Sequence, residues 1–118
     1  MILRAILLSA LCCAASAAAF AEECQIPDYR FNFGEESSVS IIVKTGLKCS
    51  SHTYADRALI RKITISRLPK NGMAAVESNR WSYQSNHGFT GIDSFVMVIA
   101  GQTLANPATL TVNVSVTK

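Results

Sequence analysis

Thr109-Leu110-Thr111-Val112-Asn113-Val114-Ser115-Val116-Thr117 alternates without a break between polar and apolar side chains. A period of two puts Leu110, Val112, Val114 and Val116 on one face of an extended chain and the hydroxyl and amide side chains on the other. That is a strand with one dry and one wet side. Upstream, Asp93 to Ala100 divides likewise into Phe95, Met97 and Ile99 against Val96 and Val98. With the first set in a core, the valines face outward, where single apolar side chains are ordinary surface. A contact face for a second copy or a partner is the alternative. Arg80-Trp81-Ser82-Tyr83-Gln84 turns Trp81 and Tyr83 inward, Lys62 to Ser66 alternates about Ile63 and Ile65, and Val39 to Lys44 is short and β-branched. Tyr29, Phe31 and Phe33, separated by Arg30 and Asn32, read as one more strand.

Turn signals separate these runs. Pro69-Lys70-Asn71-Gly72 has Pro to fix one φ and Asn-Gly to supply a positive one. Glu77-Ser78-Asn79 predicts a hairpin between Ala74–Val76 and Trp81–Tyr83. Asn86-His87-Gly88, Thr90-Gly91-Ile92-Asp93, Gly101-Gln102 and Asn106-Pro107 follow. Only Thr53 to Arg61 has the makings of a helical turn. The pattern is all-β, a sandwich or barrel of about seven short strands.

The amino end concerns export. Arg4 supplies a positive start, Ala5 to Ala15 is apolar, and Ala19-Phe20-Ala21 offers a signal-peptidase site before Glu22-Glu23. Residues 1–21 are expected to be a cleaved signal peptide and residues 22–118 the domain. Ala15-Ser16-Ala17 and Ala17-Ala18-Ala19 also fit as cleavage sites. A membrane anchor wants about 20 strongly apolar residues, and this run is short and alanine-rich. Lipid attachment at Cys12 or Cys13 is disfavoured by the bulky Leu11 or Cys12 where a lipobox needs a small residue. Cleavage leaves Cys24 and Cys49, an even count in an oxidising compartment, which reads as one disulfide. The whole sequence has a net charge of +3, and losing Arg4 lowers it further. So mild a balance implies neither nucleic acid nor an anionic membrane surface as partner.

The segment from residue 63 to 117 resembles the bacterial Ig-like and cadherin-like modules of adhesins and small secreted proteins. Pro69 and Gly72 match that family's Pro-x-x-Gly, Ala74 and Val76 its short strand, and Tyr83 its Tyr strand. Gly88-Phe89-Thr90-Gly91-Ile92-Asp93-Ser94-Phe95 matches its Gly-Phe-x-Gly-x-Asp-Ser-Phe run, and Leu110–Val116 its final strand. The resemblance implies an Ig-like antiparallel β-sandwich. In such a run Gly88 and Gly91 allow φ values a β-carbon opposes, Phe89 and Phe95 bury apolar area, and Asp93 accepts from backbone N–H groups of its own turn. Two departures stand out. Ser85 replaces the Pro after the Tyr strand, which predicts a looser loop, and the acidic junction motifs of calcium-binding relatives are missing.

Candidate chemistry is sparse. The two histidines, His52 and His87, lie in loop-like sequence with no Gly-x-Ser-x-Gly beside them. Catalysis would need one of them within about 3 Å of a second polar side chain. Converging metal ligands are missing too. Arg57, Arg61, Lys62, Arg67 and Lys70 are close in sequence, but a strand would split Arg61 and Lys62 between faces, leaving solvated charges. Tyr54 has no core face. The sequence therefore predicts an exported, non-enzymatic module without cofactor, for surface recognition, adhesion or an accessory structural role. Its partner would be a protein or cell surface. The alternative is a small secreted inhibitor of a foreign protease or lysozyme, using a protruding loop near Gly46 to Tyr54 or Gln102 to Pro107.

Overall fold

The computed structural model describes residues 23–52, 60–102 and 106–118. The leader, Tyr54, Arg57 and most of the expected helical turn lie outside them. The described residues form eight strands: β1 (Cys24–Gln25), β2 (Glu36–Lys44), β3 (Lys48–His52), β4 (Ile60–Arg67), β5 (Gly72–Glu77), β6 (Arg80–Ser85), β7 (Gly91–Gly101) and β8 (Ala108–Thr117). They make a five-stranded sheet, β1-β2-β8-β7-β4, and a three-stranded sheet, β3-β6-β5. The all-β expectation holds, and the disulfide links Cys24 to Cys49 with a Cα separation of 5.6 Å.

Alternation places the core. Val39, Ile41 and Val43 of β2, Phe95, Met97 and Ile99 of β7, and all five apolar residues of β8 are buried. Cys49, Ala74, Trp81 and Tyr83 enter the same core from the smaller sheet. Phe95 is the hinge of the two layers. Its ring lies 5.7 Å from Trp81 edge-on and 5.9 Å from Tyr83 in a stack, pairs that add about 0.5–1.5 kcal/mol each beyond their buried area. Val96 and Val98 lie on the outer face of β7, half-buried.

Several expectations are corrected. The sheets are not wholly antiparallel: β2 and β8 run parallel from Glu36↔Thr109 to Lys44↔Thr117. A period of two reports which face a side chain takes, not strand direction, and no hairpin ties these two strands. The described strands number eight because two segments not read as strands pair: Cys24–Gln25 with β2, and Lys48-Cys49-Ser50-Ser51-His52, polar enough to read as loop, with β6 along its whole length. His52 is thus a strand residue. Residues 29–33 carry no strand pairing. Tyr29 is held by its hydroxyl instead, which accepts from Trp81 Nε1 and donates to the His52 carbonyl, both at 2.9 Å. Ile60 and Arg61, assigned to a helical turn, begin β4.

Gly72 departs from its expected role as well. It has no positive φ, unlike Gly88 and Gly91 at 87° and 132°. A β-carbon there would sit 2.6 Å from the Gln84 carbonyl oxygen and 2.8 Å from the Tyr83 hydroxyl. Gly72→Ala is therefore expected to cost about 2–3 kcal/mol through overpacking, read as a lower denaturant midpoint at unchanged slope. An unaltered midpoint would mean that β5 and β6 can separate freely there. Ser85 also does not loosen its loop. It is buried, and its hydroxyl accepts from the Gly46 amide at 2.9 Å, fastening the β2–β3 turn to the end of β6.

Candidate functional site

Asp93 is the most highly organised polar group. The first β7 residues place it inside the core layer, 6% exposed, where an unsolvated carboxylate would be costly. Four donors replace its water: the Lys70 amide (2.9 Å), the Asn71 amide (3.0 Å), the Ser94 amide (2.9 Å) and the Tyr83 hydroxyl (2.8 Å). Two of these come from the Pro69–Gly72 turn rather than from the turn that carries Asp93, a correction to the local bonding expected. Pro69 itself is half-buried at the head of that turn. Burial pushes the Asp93 carboxyl up, but the hydrogen bonds from Lys70, Tyr83, Asn71 and Ser94 outweigh it and hold the group below the ordinary carboxylate range. Burial, the Asp93 bond and its negative charge push the Tyr83 phenol well above its ordinary value. Asp93 thus stays charged and Tyr83 neutral. The pair ties the β4–β5 turn to both sheets and presents nothing to solvent.

Tyr83→Phe removes one of the four donors. The expected loss is about 2 kcal/mol, the usual worth of a hydrogen bond to a charged group. Acid unfolding should also begin at a higher pH, because Asp93 then titrates closer to its unfolded value. Equal acid midpoints for the two proteins would contradict the pairing.

The exposed candidate is the outer face of the three-stranded sheet. Register sets it out as three rows across β3, β6 and β5: Lys48, Gln84 and Met73; Ser50, Ser82 and Ala75; His52, Arg80 and Glu77. Small side chains in the middle row leave a trough of about 350 Å³, walled by Lys48 on one side and Arg80 and Glu77 on the other. Ser50 also lines an adjoining hollow of about 290 Å³ with Cys24, Ile26, Pro27, Asp28, Ser51 and His52. Serine, histidine and aspartate therefore meet in one hollow. Their hydrogen bonds do not couple them: the Ser51 hydroxyl donates to the His52 backbone carbonyl at 3.1 Å. His52 Nε2 lies 3.3 Å from the Arg80 guanidinium, which only donates, and His52 Nδ1 is buried with no hydrogen-bond partner among the described residues. Neither nucleophile nor carboxylate reaches the imidazole among the described residues. His87 is at the other end of β3, beside Gly46.

The remaining predicted residues are structural in position. Trp81, Tyr83 and Phe95 are fully buried, Phe89 packs half-buried on the core, and Gly91 lies 3.4 Å from the Phe89 ring when a β-carbon is built on it. No cluster of three or more histidine, cysteine or acidic side chains able to hold a metal occurs among the described residues. No described helix is long and apolar enough to cross a membrane. The trough went unseen in the sequence because β3 did. Its one available signal was Cys49 and Ser51 alternating with Lys48, Ser50 and His52.

No family model matches the chain, and no curated protein sequence matches it. Among solved structures it is similar to an endo-fucoidan hydrolase of glycoside hydrolase family 107, at 17% identity and a TM-score of 0.41 over 69% of this chain. The chain spans 13% of that enzyme's length. A likeness this slight says nothing about activity.

Proposed function

We propose that the chain is an exported, non-enzymatic module of Ig-like β-sandwich type that recognises a protein or cell-surface partner, in adhesion or as an accessory structural unit. The supporting observation is the outer face of the three-stranded sheet. It carries Lys48, His52, Arg80 and Glu77 around a floor of Ser50, Ser82 and Ala75, all on paired strands and not on loops. Mixed charge and hydroxyl groups on a rigid backbone suit a polar protein or glycan surface, with little ordering cost on binding. The separate commitments of the Ser51 hydroxyl and the His52 ring favour binding over hydrolysis. A disulfide suits a periplasmic or extracellular setting. Of the two loops the inhibitor alternative would use, residues 46–52 run from a tight turn into β3 and do not project, while residues 53–54 of the first and 103–105 of the second lie outside the described residues.

The test exposes immobilised protein and a Ser82→Tyr variant, whose side chain fills the trough, to envelope extract and host secretions. Wild type should retain one stoichiometric partner that Ser82→Tyr loses without a change in melting temperature. Equal retention would exclude this face. Hydrolysis of a peptide or glycan by the pure protein, abolished in His52→Ala, would overturn the non-enzymatic assignment.

A further inference from the structure

We infer that one end of the sandwich docks on an anionic lipid bilayer, a membrane-surface role beyond the recognition function above. Five large apolar side chains are exposed among the described residues: Ile42, Leu47, Leu68, Met73 and Ile92. Register brings all five to the end where β2 and β8 finish and β3, β5 and β7 begin. Leu68, 67% exposed, opens the β4–β5 turn at this end. Ile92, 72% exposed, shares a row with Ser115 and Ile42 on the outer face of the larger sheet. Exposed apolar side chains scattered singly are ordinary, but a gathering of them marks an interaction site.

Cations stand beside them. Lys44 follows Ile42 on the same face of β2, and Lys48 adjoins Leu47 and shares a row with Met73 across Gln84. The Arg67 guanidinium donates to Ser94 Oγ at 3.1 Å, on the face of β7 that carries Ile92. Lys70 lies between Leu68 and Met73, and Lys118 follows β8; both are exposed. Asp93 is buried, so Glu23 and the terminal carboxylate are the exposed anions described at this end. Glu35, Glu36 and Glu77 lie at the opposite one. The whole-chain charge of +3 conceals this segregation, which only the fold produces. Apolar side chains interleaved with lysine and arginine suit the boundary between lipid headgroups and acyl chains. Neither hollow of the smaller sheet is lined by any of the five apolar residues. This end therefore offers a partner protein no pocket to fill, and a fluid bilayer needs none. A second copy seated end to end would bring two cation groups together. The Lys44 amide donates to the Glu23 carbonyl at 2.9 Å, so the apolar leader expected for export joins the domain at this same end.

The exported protein, as the cell processes it, is mixed with vesicles of phosphatidylglycerol and phosphatidylcholine and with vesicles of phosphatidylcholine alone. Sedimentation at about 0.1 M salt should retain it on the first and not on the second. Lys44→Gln/Lys70→Gln should weaken retention about tenfold or more, each lysine near an anionic surface being worth about fivefold. Leu68→Ser/Ile92→Ser should weaken it about tenfold or more as well, with the melting temperature unchanged in both. Spin-labelled lipid should broaden the amide signals of Leu47, Leu68, Met73 and Ile92 and spare those of Glu36 and Glu77. Equal retention on both kinds of vesicle, none included, would overturn the inference. Retention untouched by either pair of substitutions, as an uncleaved leader alone would give, would overturn it too. So would broadening centred on Ser50 and Ser82, or vesicles left unbound while an acidic protein shifts the same amides. Ser82→Tyr should bind vesicles as wild type does, so a trough without a partner would remove the recognition function and leave this surface standing.

Discussion

Asp93→Ala should destabilise the protein by about 4 kcal/mol. Three backbone amides and the Tyr83 hydroxyl lose their acceptor together, and each buried group left unsatisfied costs about 1–3 kcal/mol before water enters. Asp93→Asn keeps the volume but turns an NH2 toward donors, so about half that loss or more is expected. The pH dependence has a definite sign. A folded-state value below the unfolded one means that the stabilisation is present in full above about pH 4 and is lost as pH falls through the lower folded value. The gap between wild type and Asp93→Asn in urea midpoint should therefore be wide at neutral pH and narrow in acid. A gap independent of pH, or a melting temperature unmoved in Asp93→Ala, would contradict the bonding described.

Loss of the disulfide is the second large effect. Cys24 belongs to an edge strand of one sheet and Cys49 to an edge strand of the other, so the bridge closes one flank while Asp93 closes the opposite one. Its 25-residue separation gives about 3.5 kcal/mol in the chain-entropy account. β1 holds to β2 through only two residue pairs, so the segment up to Tyr29 should loosen first on reduction. Tyr29 accepts from the Trp81 indole, which gives a spectroscopic reporter. Cys24→Ala/Cys49→Ala should show red-shifted Trp81 emission and a loss of about 3–4 kcal/mol. A loss below about 1 kcal/mol with unchanged emission would mean that the flank is held without the bridge.

Much of this architecture was legible in side-chain alternation, and the reasons for the gaps are physical. β8, β7 and β6 were readable because each buries every second residue in a single core. Strand direction was not, since β2 and β8 meet only after the chain has crossed to the other sheet and returned. β3 was hidden because its inward residues, Cys49 and Ser51, are small or polar and its outward ones are polar too. With it went the trough and the strand setting of His52. The aromatic run from Tyr29 misled in the other direction: burial alternates along it, but no neighbouring strand is there to pair. Asp93 was singled out correctly as an acceptor, whereas its partners across 22 and 23 residues depend on how the sheets stack.

A recognition face is useful only if it does not yield separately from the core beneath it. Closure of both flanks, by the bridge and by Asp93, makes the two sheets one cooperative unit. Native-state hydrogen exchange on the oxidised protein tests this directly. The amides of Trp81, Ser82 and Tyr83 in the smaller sheet should open with the same free energy and denaturant dependence as those of Phe95 and Met97 in the larger. Exchange of the β6 amides through a smaller, separate opening would show that the three-stranded sheet comes away alone, and would contradict the account.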